Sequence, residues 1–276
     1  MAEPFTEYRE LGPADPLRQG DVLEAVDPAA SMWRRNLLII TADCDFAHDK
    51  HHGRVTCVPV LTADEFLSET QIPRIRERLV KKPMAVMRPI LAQSAAPNIS
   101  DHRLREWAGE ETPAVIAERL GLKDATAREA KAALESLRML DAPAPDLTEA
   151  ITTLVEAQLV GPSPPKRENA LKSVMDPLQS AYTRPPGDAF FLTAIAPGCD
   201  AGYFAYLRHL EQVWEPDIST VPTRRTIKYR RISRLRDRFA HAVVQRFAMV
   251  FMSIGLPPEY EDLRDLYAQL LGDRLK

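Results

Sequence analysis

The sequence predicts an α+β fold in which a small antiparallel β-barrel is interrupted by a block of helices. Three short apolar runs, 22–26, 37–40 and 55–61, lie close together between turn formers. From about 65 to 187 the apolar spacing becomes helical. Strand character then returns at 189–196, 203–213 and 226–235. Early strands need late partners to cover their edges, so the simplest arrangement is one β-rich core with a helical insertion.

The elements follow in order. Residues 1–18 are polar, carry Pro13 and Pro16, and read as a lead-in arm. Gly20-Asp21 opens the first strand, and Asp27-Pro28 ends it. Met32-Trp33-Arg34-Arg35 leads into Leu37–Ile40, and a polar loop separates that strand from Val55–Leu61. Such short loops favour antiparallel pairing, because parallel strands need a crossover of a dozen or more residues. Thr62 and Glu65 have capping-box spacing, so a helix is expected over about 65–81 despite Pro73. Met84–Ile90 reads as an edge strand, confined there by Pro89. Residues 101–141 and 147–160 are helical, and Pro113 suits a first helical turn. After the late strands, a helix over about 235–254 carries Ala240, Val243, Val244, Phe247, Ala248 and Phe251 as one stripe. Gly255 stops it, and a last helix spans about 259–271. The expected divisions are an arm (1–18), a split barrel core (19–64 and 188–236), a helical insertion (65–187) and C-terminal helices (237–276). The expected core includes Leu37–Ile40, Val58, Val60, Phe190, Phe191, Phe247 and Phe251.

Composition narrows the class. A net charge of −3 gives no global pull toward nucleic acid, so a local basic segment must supply any such binding. Three cysteines are too few for a disulfide scaffold and fit a reducing cytoplasm. The opening MAEPFTEYRE lacks a basic-then-apolar signal pattern. No apolar run approaches the roughly 20 residues needed to span a bilayer. A cytoplasmic protein with no membrane partner is expected.

Two constellations carry chemistry of their own. Cys44, His48, His51, His52 and Cys57 have the spacing C-x3-H-x2-H-x5-C, which matches no standard zinc finger. Asp43 and Asp45 flank Cys44 and disfavour its thiolate, so a plain connecting loop without metal is expected. Arg224, Arg225, Lys228, Tyr229, Arg230, Arg231 and Arg234 form the sharpest basic segment. It could track a phosphate backbone with Tyr229 stacking on a base, or it could form ion pairs with the acidic helical block. Residues 115–140 have the outline of a helix-turn-helix, but Glu129 and Glu135 offset Arg128 and Lys131, which favours ordinary packing. No GxGxxG, Walker, HExxH or GxSxG pattern is present, so no cofactor is expected.

GDVLEAV, the loop ending in Arg34-Arg35, NLLIIT and RVTCVPVLT together resemble the start of MazF/PemK-like toxin barrels. IKYRRISRL and the helix after it resemble that family's closing strand and C-terminal helix. The resemblance covers about a third of the chain in two separated blocks. It implies an SH3-like barrel, dimerisation and action on single-stranded RNA. Arg34 or Arg35 would match the basic residue that stabilises the phosphate transition state, and Thr62 a hydroxyl lining the site. The family's acidic partner in the first loop has no clear match in Asp27-Pro-Ala-Ala-Ser-Met-Trp. Two functions follow as expectations. One is an RNA-directed component of a bacterial toxin–antitoxin or antiphage defence system, with endoribonuclease activity. The other is a non-catalytic adaptor with a degenerate barrel. Either would have a protein partner, an antitoxin or a defence-complex subunit, and could form a homo-oligomer.

Overall fold

A computed structural model of the chain describes residues 5–94, 96–161, 163–220, 227–252 and 258–273. The N-terminal region contributes β1 (Tyr8–Arg9), β2 (Asp21–Ala25), a single turn α1 (Met32–Arg35), β3 (Asn36–Ile39), α2 (Asp43–Ala47) and β4 (Arg54–Thr62). The chain then turns helical: α3 (Ala63–Phe66), a π-turn (Leu67–Gln71), α4 (Ile72–Ala92), α5 (Asp101–Glu110) and α6 (Pro113–Arg119). The block continues through α7 (Asp124–Asp141), α8 (Leu147–Leu159) and α9 (Arg167–Thr183). The late strands are β5 (Ala189–Leu192), β6 (Tyr203–Tyr206), β7 (Glu211–Trp214), β8 (Ile218–Ser219) and β9 (Tyr229–Leu235). Helices α10 (Asp237–Phe251) and α11 (Pro258–Asp273) follow.

The strands form one sheet in the order β1-β9-β2-β3-β4-β6-β5, curled into a half-barrel. All its pairings are antiparallel except that of β8 with β9. β7 pairs with the first half of β4. One 3₁₀ turn later, β8 lies along β9. The segment from β7 to β8 therefore links the two ends of the β9-β2-β3-β4 run.

Both faces of this run are buried, which explains its continuous apolar character. Leu23, Leu37, Ile39, Val55, Cys57, Val213, Ile218 and Tyr229 pack on the inner face. The alternate residues Val22, Leu38, Ile40, Val58 and Val60 meet Ala240 and Val243 of α10 on the outer face. A third core joins the helical block to the sheet through Leu61, Phe66, Ala189 and Phe204. Phe66 and Phe204 stack with centroids 4.1 Å apart.

Several expectations are corrected. Met84–Ile90 is not an edge strand but the second half of α4, which carries Pro83 and Pro89 inside it. Its buried residues Val80, Met84, Met87 and Leu91 recur at helical spacing, and packing against α7 outweighs the backbone donors that proline removes. Tyr203–Val213 is not one run but β6 and β7. Between the Cys57–Glu211 and Val60–Ala205 pairs β4 advances three residues while its partner spans six. The extra residues bulge out as the Leu207–Leu210 loop. Phe251 is 52% exposed rather than core. Phe190, Phe191 and Phe247 are half-buried. α9 and the short helices α1 and α2 had no individual expectation. Ile254 and Gly255, where the C-terminal helix was expected to stop, lie outside the described residues.

Candidate functional site

The turn α1 aims its two arginines at different partners. Ser31 precedes it and Asn36 returns the chain to β3, so Arg34 and Arg35 stand immediately before that strand. Arg34 Nε and Nη2 each lie 3.1 Å from Glu211 Oε2 on β7. Glu211 Oε1 lies 2.9 Å from His209 Nε2. The His209 ring stacks on Trp33, with centroids 5.1 Å apart and planes 8° apart. Burial pushes the Glu211 carboxyl up, but bonds to His209 and Arg34 outweigh it and hold it below the usual carboxylate range. Glu211 is therefore an anion at neutral pH that fixes a guanidinium and an imidazole side by side.

Arg34 also lines a groove of about 590 Å³ with Val26, Asp27, Ser31, Lys228 and Tyr229. Lys228 pairs with Asp217 at 2.8 Å, and Arg230 pairs with Glu24 across β2. Tyr229 is only 9% exposed, with its ring in the inner core, so its stacking surface is largely used inside the fold.

Arg35 points to the other side and bonds Glu65. Glu65 Oε2 accepts from the Thr62 N–H at 3.0 Å, and Thr62 Oγ1 accepts from the Glu65 N–H at 3.4 Å. This is the capping box that the sequence implied, and it commits the Thr62 hydroxyl to the start of α3. Burial raises the Glu65 carboxyl, yet Arg35 and the Thr62 bonds hold it below its ordinary value. Tyr203 lies opposite Thr62 in register, its phenol pushed up to about 12 by burial and by Cys199. Arg35 and Thr62 thus meet through Glu65, while Arg34 belongs to a separate cluster with Glu211 and His209.

Two arginines of the basic segment have an internal role. Arg231 and Arg234 are 8% and 4% exposed and enclose the fully buried Asp21. Arg234 Nε lies 2.5 Å from Asp21 Oδ1, and Arg231 Nη1 lies 3.4 Å from Oδ2. Arg231 also donates to the carbonyls of Gly12, Asp15 and Pro16, which pins the N-terminal arm. Residues three apart in a regular strand face opposite ways. Here Val22 pairs with Ser233 and Leu23 with Arg231, so the skipped Ile232 forms a bulge that turns both arginines to one side. Arg224 and Arg225 lie outside the described residues.

The Cys/His loop does not gather. Cys57 is buried in the inner core, and burial pushes its thiol up. Cys44 is exposed. His51 is held by Glu215 at 2.7 Å and faces the Asp45 carbonyl at 3.2 Å. Among the described residues, no three His, Cys, Asp or Glu side chains converge as metal ligands would.

Sequence reasoning missed His209, Glu211 and Glu65. Glu65 was visible as a capping residue. His209 and Glu211 reach Arg34 only through pairing across more than 170 residues, which no local pattern signals. No family model, curated protein or solved structure matches this chain. No helix among the described residues is long and apolar enough to cross a membrane.

Proposed function

We propose that this is an RNA-directed protein with an SH3-like, MazF/PemK-type barrel, and that its working surface is the groove at Arg34. The observation that carries the reading is the Arg34–Glu211–His209 cluster beside Lys228. An exposed guanidinium suits a phosphate, and histidine is the side chain suited to moving a proton near neutral pH. In cleavage, the RNA 2′-OH attacks the adjacent phosphorus, the P–O5′ bond breaks to leave a 2′,3′-cyclic phosphate, and the departing 5′-oxygen takes a proton from solvent water. His209, oriented by Glu211 and Trp33, takes the hydroxyl proton, and Arg34 stabilises the charge on the pentacoordinate phosphate. The return of the strand run to β9 through β8 supports the barrel assignment. The cellular setting we infer is a toxin–antitoxin or antiphage defence system.

A non-catalytic adaptor is the second reading, and one observation favours it. Arg34, Arg35, Lys228 and Arg230 each already hold a carboxylate of the chain. Labelled single-stranded RNA incubated with the wild type, Arg34→Ala and His209→Ala separates the two. Cleavage that falls at least a hundredfold in both variants supports the enzyme. RNA left intact and unbound by the wild type assigns the chain to the adaptor class.

A further inference from the structure

Helix α11 carries Tyr260, Leu263, Tyr267 and Leu270, spaced three, four and three residues apart. That is the a/d repeat of a coiled coil over two heptads. The four side chains are 52%, 54%, 71% and 48% exposed, and Leu266 beside them is 48% exposed. A helix facing only solvent with such a stripe leaves its apolar area unburied. The flanking positions add a second pattern. With Tyr260 at a and Leu263 at d, Glu259 falls at g and Arg264 at the following e. In a parallel two-stranded coil, g of one helix lies beside the next e of the other. Glu259 of each chain therefore meets Arg264 of the other, twice by symmetry. Leu266 occupies the next g, which widens the apolar seam. Leucine at both d positions fits two strands. Met249 and Met252, 65% and 77% exposed at the end of α10, supply further apolar surface just before α11.

We propose that α11 is a dimerisation helix and that its partner is the α11 of a second copy, in a parallel two-stranded coiled coil. The charge register selects this occupant: Glu259 and Arg264 are complementary to each other at the spacing a parallel copy requires.

The test is sedimentation equilibrium of the full chain with three variants. The wild type is expected at twice the 31.0 kDa chain mass. Leu263→Asp combined with Leu270→Asp is expected to be monomeric and still to unfold cooperatively, since both positions face solvent in the single chain. Glu259→Arg alone turns two attractions into repulsions and should raise the dimer Kd about tenfold. Adding Arg264→Glu should restore it. A wild type that stays monomeric, a dimer that survives the double aspartate variant, or charge reversals that fail to cancel would each overturn the proposal.

Discussion

His51 shows how one side chain couples a loop to the sheet. Its side chain is 5% exposed and sits between Glu215 and the Phe46 ring, 4.9 Å between centroids. The bond to Glu215 raises its pKa above the ordinary value, assisted by the Asp45 carbonyl and the charge of Asp49. A raised folded-state value stabilises the fold below the unfolded pKa of about 6.5. That stabilisation is lost as pH rises through the higher folded value. Urea titrations of wild type and His51→Gln should therefore differ most below about pH 6 and converge as pH rises through the folded pKa. A gap that stays constant with pH would remove the ionised pair as its source.

At the element scale, β9 joins the arm to the sheet through a buried triad. Asp21 is completely buried, and two guanidinium groups depend on it for charge balance. Asp21→Asn keeps the shape but leaves two buried positive charges without an anion. It should cost about 3–5 kcal/mol in chemical denaturation. A loss below about 1 kcal/mol would mean that the arm carbonyls alone suffice. This element also marks what the sequence reveals. The apolar runs of β2, β3 and β4 were legible because burial on both faces leaves no polar interruption. The basic run was legible as charge but not as burial. A strand with arginines at 230, 231 and 234 looks solvated until a bulge at Ile232 and a carboxylate 210 residues away turn two of them inward. Pro89 pointed to an edge strand because its missing donor is a local fact, whereas the helical partners of Met84 and Met87 are not.

Across the whole molecule, helices and sheet share a core. Leu61, Phe66, Ala189 and Phe204 belong to the same apolar cluster as α4, α7, α8 and α9. The block between β4 and β5 is therefore built into the fold rather than hung from it. Unfolding is expected as one calorimetric transition with equal van't Hoff and calorimetric enthalpies. Phe204→Ala should lower its free energy by about 3–5 kcal/mol without splitting the peak. Two resolved peaks would instead make the helices an independent unit.

The arrangement of paired cations around the Arg34 groove also bears on the ionic response of any phosphate that docks there. Arg34 and Lys228 each hold a tethered carboxylate of the chain. An incoming phosphate must evict a neighbour that cannot diffuse away, so ion release into bulk is not the main gain. Affinity should then fall with salt less steeply than the number of contacts would suggest. The displaced Glu211 and Asp217 stay tethered nearby and compete with the phosphate for the same two cations.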